Sequence, residues 1–85
     1  MALRFSASAS RYPDGRLTEL FMNANKAGST IDMLINDSAI VLSFALQHGA
    51  DAEAIRRALC RDSQGRALGP LAVALDHLLA DEAGG

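Results

Sequence analysis

Apolar and polar side chains alternate at the start of the chain, with Leu3, Phe5, Ala7 and Ala9 set against Arg4, Ser6, Ser8 and Ser10. A period of two is the pattern of a half-buried strand, so this stretch predicts a strand with one wet face. Tyr12-Pro13-Asp14-Gly15-Arg16 follows, where the proline presets φ for a turn and the glycine is free to take positive φ. Leu17 to Asn23 then reads as a second strand, giving a β-hairpin over 2–23. Under strict alternation Leu17 and Phe21 point one way while Leu20 and Met22 point the other, which predicts cover on both faces of that strand.

Beyond residue 30 the period lengthens to that of a helix. At about 100° per residue Ile31, Leu34, Ile35, Val41, Leu42, Ala45 and Leu46 share one broad face, and Met33, Ile40 and Phe44 fall on the opposite one. The predicted helix over 31–48 therefore has neighbours on both sides, as a central core helix or one shared with a partner subunit. Ser29 and Thr30 are suited to capping its start, Gly49 to closing its end, and His48 sits where a cation suits the helix dipole. Asp51 caps a shorter helix over 52–61, expected to bury Ile55, Ala58 and Leu59 and to hold Arg56, Arg57 and Arg61 in water. After the connector Asp62-Ser63-Gln64-Gly65-Arg66, Pro70 opens a third helix over 69–80 with Leu71, Ala72, Leu75, Leu78 and Leu79 on one stripe. Residues 81–85 read as a frayed tail. The expectation is one α+β domain of order ββααα.

Composition narrows the function classes. An 85-residue domain buries only about 60 to 65% of the surface its unfolded chain exposes and usually needs a staple. Cys60 is alone, and His48 and His77 are the only histidines, so neither a disulfide nor a structural metal is expected, and no cofactor. That leaves self-association, with Met33, Ile40 and Phe44, or the open edge of the hairpin, as the surface shared in a homodimer. A net charge of −2 offers no field for nucleic acid. The short helix, corner and third helix invite comparison with a helix-turn-helix, but the third helix presents Asp76 and His77 where a DNA reader carries basic or amide side chains. Polar interruptions at Asp32, Asn36, Asp37, Ser38 and Ser43 exclude a membrane span, and an N-terminus without an apolar run together with one unpaired cysteine predicts a cytoplasmic chain.

Candidate chemistry is sparse. Asn23, Lys26, Gly28 and Ser29 surround a predicted helix start, where free N–H groups, the dipole and a lysine favour an anion, so a phosphate or nucleotide ligand is one reading and an ordinary capped loop the other. Lys26-Ala27-Gly28-Ser29 lacks the upstream glycine and strand context of a phosphate-gripping P-loop. Cys60 lacks a partner base and reads as a half-buried structural thiol; His48 and His77 each stand without company, and Asp32, Asp37 and Asp76 read as solvated helix carboxylates. The arginines of the second helix suit either solvent or an acidic partner.

Taken in order, Tyr12-Pro13-Asp14-Gly15-Arg16, Glu19-Leu20-Phe21-Met22-Asn23, Lys26-Ala27-Gly28-Ser29, Leu42-Ser43-Phe44-Ala45-Leu46-Gln47-His48-Gly49 and Ile55-Arg56-Arg57-Ala58-Leu59 carry a family likeness. The stretch from Tyr12 to Leu79 resembles the TSCPD-type domain found near the C-terminus of vitamin B12-dependent ribonucleotide reductases and as short standalone proteins. The naming motif, Thr-Ser-Cys-Pro-Asp, falls near Leu68-Gly69-Pro70-Leu71, where only the proline is kept. The resemblance implies a non-catalytic accessory or assembly module, with a reductase or other protein as partner, because the radical chemistry of those enzymes belongs to a separate large barrel. A ligand binder using the loop before the first long helix, and an enzyme assembled at a dimer interface, are the alternatives.

Overall fold

The computed structural model describes residues 4–84, with side chains to residue 80. It is an α+β fold, a two-stranded antiparallel hairpin followed by three helices: β1 (Phe5–Arg11), β2 (Leu17–Ala24), α1 (Thr30–Gln47), α2 (Ala52–Ala58) and α3 (Pro70–Gly84). The hairpin residues expected at positions 2 and 3 lie outside the described ones. Where a frayed tail is expected from residue 81, the backbone continues as helix to Gly84, and Gly85 lies outside the described residues. Internal contacts gather the chain into two compact units, Met1–Gly49 and Ala50–Gly85.

In the first unit the register places Phe5 opposite Ala24, Ala7 opposite Met22 and Ala9 opposite Leu20, but Arg11 pairs with Leu17 and Ser10 with Glu19, so Thr18 is an extra residue in β2. This β-bulge resets the alternation. Leu17, Leu20 and Met22 are all buried, while Phe21 is 51% exposed beside the serines of β1. The expectation that both faces of β2 are covered is thereby corrected: one inserted residue brings Leu17 onto the face of Leu20 and Met22, and the other face stays wet.

Helix α1 packs along β2. Its buried side is Asp32, Ile35, Ala39, Leu42 and Leu46, the 3-4-3-4 spacing of a single stripe. The broad face expected from Ile31 to Leu46 is narrower than that: Ile31, Leu34 and Val41 are exposed, Val41 by 69%, because a sheet of two strands is too narrow to cover them. Ser29 caps the helix by accepting from the Asp32 N–H at 3.1 Å. At the other end Gly49 takes φ of +95°, and the His48 N–H reaches the carbonyls of Phe44 and Ala45.

In the second unit α2 is capped by Asp51 and stops at Ala58, since Leu59 is extended at φ −71° and ψ 159°. A helix of seven residues has little interior side. Ile55 and Leu59 are half-buried and Ala58 is exposed, correcting the expectation that all three are interior; Cys60, past the helix end, is exposed and not half-buried. Helix α3 buries Ala72, Ala74, Leu75 and Leu79. The connector before it repeats the hairpin turn. In both, the first residue donates its N–H to the carbonyl of an arginine four positions on (Tyr12 to Arg16, Asp62 to Arg66), a glycine at positive φ (Gly15, Gly65) bonds back to that first residue, and a preceding arginine (Arg11, Arg61) grips the glycine carbonyl. The second copy closes on a single bridge, Arg61 with Ala67.

Candidate functional site

The loop before α1 holds three of the four residues of the anion reading. Lys26 and Gly28 are exposed and Ser29 is half-buried at the cap. Asn23 is exposed on β2 opposite Ser6, and among the described residues no hydrogen bond joins its side chain to Lys26, Gly28 or Ser29. The loop already holds a carboxylate of its own. Asp32 accepts from the Ala24 N–H at 2.8 Å, the Gly28 N–H at 3.0 Å and the Asn36 amide at 3.1 Å. The Gly28 and Ala24 N–H groups, with the Asn36 amide, hold its carboxyl below the usual carboxylate range against the opposing effect of burial. Asp32 is thus a buried tie between strand end, loop and helix start, correcting its reading as a solvated carboxylate. The sequence does carry the signal for it. Ser29-x-x-Asp32 ahead of an apolar run is a capping-box spacing, here reaching one residue further back, to Gly28.

Arg61 falls beyond the end of α2, and the acidic partner it shares with Arg56 lies within the same unit. Asp76 on α3 accepts from Arg61 at 2.8 and 3.0 Å and from Arg56 at 3.1 Å, while Arg56 also grips Glu53. The Arg61 hydrogen bonds, then those of Arg56, hold the Asp76 carboxyl down at about 2 from an ordinary 3.8. Arg56 and Arg61 are therefore part-buried and paired where solvation is expected, and Asp76 is not a solvated carboxylate; Arg57 and Asp37 are exposed as expected. This cluster is internally satisfied and ties α2 to α3. Among the described residues no three His, Cys, Asp or Glu side chains gather as a metal site, and no helix is long and apolar enough to cross a membrane. His48 caps α1, its Nδ1 2.8 Å from the Phe44 carbonyl, and His77 is exposed on α3.

Two surfaces of the first unit remain unsatisfied. One is the outer side of α1, where Met33, Leu34, Ile40, Val41 and Phe44 are each more than half exposed, Phe44 by 62%. Met33, Ile40 and Phe44 stand together there, as the sequence spacing predicts. The other is the outer edge of β1. The Asn25 N–H donates to the Arg4 carbonyl, so Arg4, Ser6, Ser8 and Ser10 form the hydrogen-bonded pairs with β2, and Phe5, Ala7 and Ala9 turn their backbone groups outward. Several of the matching outward groups of β2 are occupied. Ser43 of α1 accepts from the Leu20 N–H at 2.8 Å and reaches the Leu20 carbonyl at 3.2 Å, Gln47 donates to the Thr18 carbonyl, and Asp32 takes the Ala24 N–H. Helix α1 therefore seals one edge of the sheet. Among the described residues no hydrogen bond reaches the outward groups of Phe5, Ala7 and Ala9.

No family model matches the chain, and no curated protein or solved structure matches it.

Proposed function

We propose that the chain is a non-catalytic binding and assembly module that works as a homodimer, in keeping with its resemblance to the accessory TSCPD-type domain of B12-dependent ribonucleotide reductases. The observation that carries the reading is the row of large apolar side chains left in solvent on α1, Met33, Leu34, Ile40, Val41 and Phe44. Contiguous apolar surface of this kind marks an interaction site. Self-association, through this row or through the open edge of β1, is the fitting reading, since a small unit with a two-stranded sheet gains most from shared burial. The charged groups around Asp76 and Asp32 are paired within their own units, which fits a structural role for them.

Light scattering tests self-association. The expected mass is twice the 9.0 kDa of one chain, and a concentration-independent single-chain mass overturns the reading. Phe44→Asp separates the two surfaces: a charge at an interface of the α1 row splits the dimer, whereas one in solvent leaves it intact. Co-purification with a B12-dependent reductase from the native cell tests the accessory role.

A further inference from the structure

The open edge of β1 has a pattern that fits itself. Its outward groups belong to Phe5, Ala7 and Ala9, and within Phe5–Ser10 there is no proline, bulge or charged side chain, the devices by which strand edges are usually blunted. We infer that two copies of this chain join by antiparallel pairing of β1 with β1 about a twofold axis at Ala7, forming a four-stranded sheet. The inference rests on the self-association reading above and assigns the surface and register that carry it.

Backbone geometry restricts the register. Only outward groups can meet, so Phe5, Ala7 and Ala9 of one copy must pair with the same set on the other. Centring on Ala7 places Phe5 opposite Ala9 at both ends and Ala7 opposite itself, using every outward group of the three residues. Side chains agree with this register. On the α1 side each Phe5 ring lies against a small Ala9, and on the wet face Ser6 meets Ser8 while Arg4 meets Ser10, so no like charges oppose. A twofold pairing of identical strands is self-complementary by construction.

The test uses the full chain in a Cys60→Ser background, because Cys60 is exposed. In the proposed register Ser6 and Ser8 of opposite copies form a non-hydrogen-bonded pair, with Cα atoms about 4.5 Å apart, inside disulfide range. Ser6→Cys and Ser8→Cys chains mixed and mildly oxidised should give a cross-linked heterodimer, whereas either alone, with its Cα atoms about 7–8 Å apart on the diagonal, should give little. Ala7→Pro removes an outward N–H without touching the bonds to β2, so it should halve the mass in light scattering with an unchanged far-ultraviolet spectrum. A dimer that survives Ala7→Pro, forms no mixed cross-link and splits with Phe44→Asp overturns the β1 register and leaves the assembly reading standing. A chain that is monomeric before any substitution overturns both.

Discussion

Ser43 is the side chain on which the sealed edge of β2 depends, and replacing it with alanine isolates that contact. Its hydroxyl accepts from the Leu20 N–H at 2.8 Å and donates towards carbonyls of Ala39 at 2.8 Å and Leu20 at 3.2 Å. Leu20 is only 2% exposed, so water cannot take over when the oxygen is removed. Leaving a buried N–H unsatisfied costs about 1–3 kcal/mol. Alanine recovers roughly half a kcal/mol through its better helix propensity, which leaves a net loss of about 1–2 kcal/mol. Urea denaturation followed by circular dichroism should show that loss, and amide exchange at Leu20 should speed up by roughly five- to thirtyfold. Ser38→Ala is the control, because that hydroxyl bonds only the Ile35 carbonyl of its own helix. If Ser43→Ala is no more damaging than Ser38→Ala and the Leu20 amide keeps its protection, the hydroxyl does not seal this edge.

The bulge at Thr18 predicts opposite outcomes at neighbouring positions: Leu20→Ala should cost about 2–5 kcal/mol, and Phe21→Ala no more than about 0.5, in equilibrium denaturation. Equal losses would mean that the wet face of β2 is covered. For the second unit, Asp76 titrates at about 2 when folded against an ordinary 3.8, chiefly through Arg61 and then Arg56. A carboxylate depressed by folding stabilises above its unfolded value, so this contribution is full above about pH 4 and lost as the pH falls towards 2. Amide exchange in α2 and α3 should record that acid limb, and Asp76→Asn should flatten it; an acid limb unchanged in the variant removes Asp76 as its cause.

Elements with a clean local period were legible in the sequence. The serine and alanine alternation of β1 and the Pro-Asp-Gly turn specify the hairpin, and the apolar spacing from Ile31 onward specifies a long helix. What was hidden depended on single residues whose effect is not periodic. Thr18 looks like any strand residue, yet its insertion moves Leu17 onto the interior face and leaves Phe21 outside. Apolar spacing alone also overstates burial in α1, because burial is set by the width of the sheet available and not by the helix. Pairings across distance were illegible for a further reason. Nothing local marks Asp76 as the partner of Arg56 and Arg61, 20 and 15 residues away. Asp32 was the exception, since its spacing from Ser29 carries a capping signal. In the candidate site, Met33, Ile40 and Phe44 share one face of α1 as their spacing implies, but in the single chain that face stands in solvent where a neighbour is expected.

A sheet edge built over by the chain's own helix also determines where growth stops. Strand addition needs a free edge on both parties, and α1 leaves the hairpin with one. Pairing through β1 consumes it in each copy, and the outer margins of the enlarged sheet are then the two helix-covered strands. Association by this route would be closed at two chains, and the serine, glutamine and aspartate that occupy backbone groups of β2 oppose the run-on stacking into fibres that an alternating small-residue strand would otherwise invite.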